Sequence, residues 1–217
     1  MDSVFHQIIS SPKLPIYFKQ LKTVVNEEHK KRKYFYEIIT EFQKAEFINE
    51  DIIMHSPARI EHLTTSSLLH RLLSFFVDNK NLGFVAVEKA LICLSRNDYE
   101  PDICYFSNEK ANKFKSGQMK FPAPDFIIEI LSESTEKNDR GIKFIDYAAH
   151  GVQEYWIVQP EKQFVEQYVL KDNSFVLLKK LKVGSNIEST VIKGFKIPAK
   201  AIYDSKVNLK TIKEMLK

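Results

Sequence analysis

The segment PDFIIEIL, residues 124–131, is an almost unbroken apolar run interrupted by one acid, Glu129. Bounded by Pro124 on one side and the turn-forming SESTEKND (132–139) on the other, it reads as a central strand buried on both faces. After the turn, the pattern predicts a helix from about Asn138 to His150, closed by Gly151 as a left-handed cap. Three more strands follow in EYWIV (154–158), FVEQYVL (164–170) and SFVLLKK (174–180). Upstream, GFVAV (83–87), ALICL (90–94) and DICYF (102–106) are short β-rich runs separated by turn-like residues.

Further out, Ile60, Leu63, Leu68, Leu69, Leu72, Leu73 and Phe76 give residues 59–78 the apolar face of an amphipathic helix. Before it, AEFINEDIIMHSPA (45–58) predicts a hairpin around Asn49, Glu50 and Asp51, closed by Pro57. At the N-terminus Leu14, Phe18, Leu21 and Val25 recur at helical spacing, and a second helix is expected from about Lys30 to Thr40. The polar stretch 107–120 reads as a connection, and the lysine-rich end as a short helix. With no internal repeat or flexible linker, the chain is expected to form one α/β domain over 44–200. A helical extension (1–43) and a basic tail or helix (201–217) would flank it.

Composition sets outer limits. The chain has 217 residues, 44% apolar and 28% charged, ordinary for a globular protein with a real core. No stretch reaches the roughly 18–20 apolar residues of a membrane span, and MDSVFHQIISSPKLP lacks the regions of a secretory signal. Cys93 and Cys104 lie in apolar segments and read as core residues of a reducing compartment, which points to the cytoplasm. The net charge of +4 is unevenly spread. Residues 1–45 carry eight Lys/Arg against five Asp/Glu and residues 161–217 twelve against six, whereas 46–160 carry twelve against seventeen. A basic exterior suits phosphate backbones, and an acidic centre suits hard cations; solvated surface charge reads the same way.

Two carboxylates break the ordinary rules. Asp102 opens a strand directly after Pro101, and Glu129 sits inside an apolar strand where a lone charge is costly to desolvate. Were the two on adjacent strands about 4 Å apart, they would repel by about 4 kcal/mol at an effective dielectric near 20, and a divalent cation would reverse the sign. A structural ion pair is the other reading. Lys143 lies one turn beyond Asp139 and one turn before Tyr147, so the three share a helix face. It serves either as a surface partner of Asp139 or as an ammonium aimed at the Glu129 strand, and spacing does not choose.

EPDICYF (100–106) followed by PAPDFIIEILSESTEKNDRGIKFIDYAAHGVQEYWIV (122–158) resembles the restriction endonuclease-like family within the PD-(D/E)XK nuclease superfamily. The likeness rests on Pro101-Asp102, Pro124-Asp125, Glu129, Leu131-Ser132, Asp139, Lys143, Tyr147, Gly151-Val152 and Glu154-Tyr155-Trp156, in order. EFINEDIIMHSPARIEH (46–62) extends it upstream with Glu46 and His62, so that it covers roughly 44–170. The resemblance implies a mixed β-sheet flanked by helices, with metal ligands at one sheet edge. Asp102 and Glu129 would bind Mg²⁺, with Mn²⁺ as a substitute, and the Ile130 carbonyl would add a third oxygen. Glu46 would add a carboxylate or hold a water, with Asp125, Asp139 and Tyr147 in support. Lys143 would replace the lysine that typical members carry two residues after the glutamate, where this chain has Leu131. Relatives often place glycine in the hairpin turn, where this chain has Glu50 or Asp51.

The implied activity is phosphodiester hydrolysis on DNA by a homodimer, since cutting both strands needs two sites. Lys110, Lys113, Lys115 and Lys120 are candidate backbone-phosphate contacts. A nuclease fold that binds DNA without turnover, and a structural protein with ion-paired carboxylates, remain as alternatives. Trp156 reads as a packed core aromatic. His55 and His62 lack partners at zinc spacing, and His62 reads as a hydrogen-bonded helix residue. No phosphate-binding glycine loop and no G-x-S-x-G elbow occurs.

Overall fold

The computed structural model describes residues 3–216; residues 1–2 and 217 of the two expected flanks lie outside them. Two helices come first, α1 (Ser3–Ile9) and α2 (Leu14–Ile38). The two helices expected over 14–40 are one: no Gly or Pro falls between Val25 and Lys30, and Pro15 stands in the first turn, where its missing N–H costs nothing. The expected hairpin follows as β1 (Ala45–Ile48) and β2 (Asp51–Met54), with Ile48 opposite Asp51. Asn49 (φ 48°) and Glu50 (φ 74°) both take the left-handed backbone of a two-residue turn. Glu50 therefore does there what glycine does more easily, and Lys31 Nζ, 2.6 Å from its carboxylate, ties the turn to α2.

Helix α3 (Ile60–Lys80) leads into β3 (Gly83–Val87), β4 (Leu91–Cys93), β5 (Asp98–Tyr99) and β6 (Ile103–Ser107). The stretch read as a plain connection holds a one-turn helix, α4 (Asn108–Ala111), and then β7 (Lys120–Phe121). The apolar run is β8 (Phe126–Ile130), fully buried as expected. The helix predicted over 138–150 is broken into α5 (Glu136–Asp139) and α6 (Ile142–Ala149). The break falls at Gly141, where a Cβ would stand 2.6 Å from the Lys137 carbonyl oxygen. Gly151 has φ 77°, as the cap reading requires. The remaining elements are β9 (Glu154–Gln159), β10 (Phe164–Lys171), β11 (Ser174–Lys182), β12 (Asn186–Glu188), β13 (Lys196–Pro198), a 3-10 turn (Ala199–Ile202) and α7 (Ser205–Met215).

The central sheet is mixed, in the order β11-β10-β9-β8-β6-β3. Only β8 and β9 within it run parallel, and α6 lies in the crossover that parallel pairing requires. A second sheet, β2-β1-β5-β4-β7, carries the hairpin. One core joins α3 to the 187–202 segment through Leu69, Leu72, Phe126, Ile128, Ile130, Trp156 and Phe195. A second core lies on the opposite face, where Cys104, Ile127, Tyr155 and Ile157 meet Tyr147 and Ala148 of α6 and Ile92 and Tyr99 of the second sheet. Both cysteines are free thiols. No helix among the described residues is long and apolar enough to cross a membrane.

Candidate active site

Alternation along β8 decides where its one acid goes. Phe126, Ile128 and Ile130 point into the α3 core, so Ile127 and Glu129 face the opposite side, toward α6. Ile103 pairs with Ile128 in the antiparallel β6–β8 ladder, which makes Asp102 and Glu129 neighbours. The Asp102 N–H donates to Glu129 Oε2 (3.3 Å), and Asp102 Oδ2 accepts from the Ile130 N–H (2.8 Å). From α6, the Lys143 ammonium sits 2.9 Å from Glu46 Oε1, 3.2 Å from Glu129 Oε1 and 3.2 Å from Asp139 Oδ1. Lys143 is only 2% exposed, so it is no surface partner of Asp139. The Tyr147 hydroxyl donates to Glu129 Oε1 (3.1 Å).

Six of the residues singled out in the sequence therefore gather at one place: Glu46, Asp102, Glu129, Asp139, Lys143 and Tyr147, with Ile130 joining through its N–H. Asp125 does not. Four residues along the strand is about 13 Å, and at that end Asp125 accepts from the Ser107 N–H (2.7 Å) and pairs with Lys110 (2.7 Å). Lys110 is thus engaged, Lys120 lies over the Tyr36 ring, and none of the four connection lysines lines the cleft above the site. Trp156 is fully buried, its ring N–H donating to Glu154, as the core reading requires.

That cleft has a volume of about 430 Å³, with Asp102, Glu129, Asp139 and Lys143 in its wall. It brings in residues that sequence reasoning missed. Glu88 follows β3, whose Val87 pairs with Ile103, so the pairing carries Glu88 to the side of Asp102; its N–H donates to the Asp102 carbonyl (3.0 Å). Glu88 holds a left-handed backbone (φ 67°), uncommon for a side-chain-bearing residue and often found at functional sites. Lys44 Nζ bridges Glu88 Oε2 and Asp102 Oδ1, 3.0 Å from each. His62 Nε2 lies 3.4 Å from Asp102 Oδ1, and its buried Nδ1 has no hydrogen-bond partner. So His62 belongs to the site, not merely to its helix. The position of His62 in the family pattern was the available signal; nothing local marked Glu88 or Lys44.

The electrostatics follow from burial and from an excess of acids. Burial works against the Lys143 charge, yet Glu129, Glu46 and Asp139 together hold its pKa well above the ordinary lysine value. Burial raises Glu129 well above the carboxylate range, and Asp139, Asp102 and Glu46 push the same way, outweighing Lys143. Asp139 is raised, again by burial first. Asp102 goes the other way: burial is overcome by the His62 hydrogen bond and by Lys44, and its pKa falls below the usual range. Glu46 is lowered because Lys143 and His55 outweigh burial. Glu100, buried beside the Ala45 N–H, is pushed up to about 7. Six buried or half-buried carboxylates thus share two ammonium groups.

A divalent cation fits this surplus of negative charge. One ligand atom each from His62, Glu88 and Asp102 lie within 4.8 Å of one another. Carboxylate oxygens are the donors hard cations prefer, and Glu129 stands beside Asp102 to add another.

No curated protein matches the chain. A solved structure described as "a putative nuclease belonging to DUF820", from Anabaena variabilis ATCC 29413, superposes with a TM-score of 0.67. It is 19% identical in sequence, and the match covers 80% of this chain and 96% of that one; at this identity it speaks for the fold. The profile of the Uma2 family, described as "Putative restriction endonuclease", matches residues 33–200. That span holds every residue of the cleft and most of the chain, and the protein belongs to the Uma2 family of restriction endonuclease-like α/β proteins.

Proposed function

We propose that this chain is an Mg²⁺-dependent nuclease that hydrolyses DNA phosphodiester bonds in the Asp102–Glu129–Lys143 cleft, working as a homodimer. The observation that supports it most is the meeting of two acids from adjacent strands with one ammonium from the following helix, in a buried setting rich in negative charge. Asp102 and Glu129 would hold the ion, with the Ile130 carbonyl as a third oxygen. Glu46 would serve as a reserve carboxylate, and Glu88 and His62 are added by their position beside Asp102. Bound there, Mg²⁺ or Mn²⁺ would supply Lewis acidity toward a phosphate oxygen and make a coordinated water more acidic.

The chain's own residues do the rest. Lys143, kept charged by its three acids, faces the cleft as a donor for the charge that builds on the phosphate oxygens. Tyr147 fixes the orientation of Glu129 through its hydroxyl, and Ile130 fixes Asp102 through its N–H. Lys44 neutralises Asp102 and Glu88 and would turn to the phosphate when a cation binds the two acids. DNA reaches such a site by its backbone.

Purified protein is expected to nick supercoiled DNA with Mg²⁺ and to stop when a chelator is added. Glu129→Ala should abolish nicking while the folded spectrum and melting profile persist; undiminished nicking by that variant would remove the assignment. A second reading, a nuclease fold whose acids serve only as ion-pair partners, draws on the bonds that Lys44 and Lys143 already make. Calorimetric titration with Mn²⁺ separates the two, because that reading gives no heat.

A further inference from the structure

Away from the cleft, a serine, a histidine and a carboxylate stand in line at the end of α6. Ser95 is exposed in the turn between β4 and β5. That turn is pinned from α2, where Arg32 donates to the Ser95 carbonyl through Nη1 (3.0 Å) and to the Leu94 carbonyl through Nη2 (2.8 Å). His150 caps α6, one turn beyond Asp146. Its Nε2 lies 2.9 Å from Ser95 Oγ and 3.1 Å from the Ser95 nitrogen, whose N–H donates to it. Because a backbone N–H can only donate, Nε2 carries the lone pair of the ring and Nδ1 carries the proton. On that side Nδ1 lies 2.8 Å from the Asp146 carbonyl oxygen and 3.1 Å from Asp146 Oδ1. Asp146 Oδ2 is held in turn by the Asn97 amide and the Tyr99 hydroxyl, each at 2.8 Å. Neither Ser95, Asp146 nor His150 lines the cleft, and none of them carries the family resemblance.

We propose that Ser95 is a second nucleophile of this chain, acting on acyl esters, with His150 as its general base and Asp146 as the positioning residue that fixes the ring. A hydroxyl is a weak nucleophile by itself and is activated when a base within hydrogen-bond reach takes its proton. Here the basic nitrogen is the one that faces Oγ. A turn that only needed fastening to α6 is already fastened by the Ser95 N–H. The Asp146 carboxylate, on the far side of the ring, favours the imidazolium that forms. In the first step Oγ bonds to the ester carbonyl carbon while its proton passes to Nε2. The bond from that carbon to the alcohol oxygen then breaks, and the alcohol leaves with the proton. Water next gives a proton to Nε2 and attacks the acyl carbon; Oγ leaves and takes the proton back, releasing the free acid. An exposed turn admits an ester carbonyl but encloses little of the molecule, so the class it takes is small, activated esters. This activity goes beyond the phosphodiester reading and uses none of its residues.

A fluorophosphonate probe tests this on the full chain, because attack by Oγ forms a P–O bond, expels fluoride and passes the proton to His150, leaving a stable adduct. Peptide mass spectrometry should place that adduct on Ser95. Ser95→Ala, which keeps the N–H bond to His150, should abolish it with the melting profile unchanged. The wild type should also release nitrophenolate from p-nitrophenyl acetate at least about tenfold faster than Ser95→Ala does. His150→Ala should lose the labelling, and added imidazole should restore it by filling the space the ring leaves. Asp146→Asn should slow labelling about tenfold, and imidazole should not rescue it, because the ring is still in place. A clamp with no chemistry gives no response to imidazole in either variant. A wild type that takes no label, an adduct spread over lysines and tyrosines, or labelling of Ser95 undiminished in His150→Ala overturns the proposal. Protein that nicks DNA yet takes no label would lose this activity alone, and protein that is labelled yet does not nick would lose only that of the cleft.

Discussion

Lys143→Met removes the one ammonium shared by three buried carboxylates while keeping the volume of the side chain. Glu46, Glu129 and Asp139 each lie within 3.2 Å of the Lys143 nitrogen, and all four side chains are 1–3% exposed. Without the lysine, each pair of ionised carboxylates about 5 Å apart repels by about 3 kcal/mol at an effective dielectric near 20. Protonation relieves part of this, so the net loss at pH 8 is expected at about 3–5 kcal/mol, typical for breaking a buried ion pair. The sign of the pH dependence follows because Lys143 lowers the pKa of Glu129 and Asp139, which burial already raises in the wild type, so in the variant both rise further still. The folded variant binds more protons than the unfolded chain above the ordinary carboxylate range near 4, so stability falls as pH rises through the raised values. The variant should therefore be closest to wild type near pH 5 and furthest from it at pH 8. Urea unfolding at both pH values, with and without Mn²⁺, measures this. An ion at about 100 times its dissociation constant should return about 2.7 kcal/mol. A loss equal at both pH values, or larger at pH 5, would refute the view that the lysine compensates ionised acids.

Two further outcomes follow from positions outside the cluster. Glu154, fully buried, accepts from the Trp156 ring N–H (2.6 Å), the Gln167 amide (2.7 Å), the Ser189 hydroxyl (2.7 Å) and the Thr190 and Val191 N–H groups (2.8 and 3.0 Å). Glu154→Ala should cost about 4 kcal/mol or more in urea unfolding by stranding those donors, with Mn²⁺ binding unchanged in the folded fraction. Gly141→Ala drives a Cβ onto the Lys137 carbonyl in the turn between Asp139 and Lys143. It should lower stability by about 1–3 kcal/mol and weaken Mn²⁺ binding in calorimetry, because the two partners are displaced relative to each other.

Much of the fold was legible in single residues. The PDFIIEIL run announced the central strand, period-3.6 leucines announced α3, and Gly151 marked the end of α6. Those signals are local: burial on two faces, on one face, or a backbone angle that glycine reaches easily. Gly141 was harder to read, since a glycine inside a helical pattern breaks it only when the backbones around it approach closely, and that approach is made by the fold. The unbroken length of α2 was missed because two apolar patterns, one docked and one exposed, looked like two helices.

The site divides along the same line. By itself the sequence determined that Asp102 and Glu129 were acids in places that penalise acids, and that Lys143 shared a helix face with Asp139 and Tyr147. Whether Lys143 faced water or Glu129 was open, because a helix face has no direction until something covers it. Tertiary structure decided it: β8 alternates its side chains, α6 crosses over the Glu129 side, and the hairpin brings Glu46 against the same ammonium. Glu88, Lys44 and His62 came to Asp102 from three separate stretches of chain, joined by strand pairing and helix packing across 14 to 58 residues. Proximity across such distances is a product of sheet register and packing, which no local pattern of residues encodes.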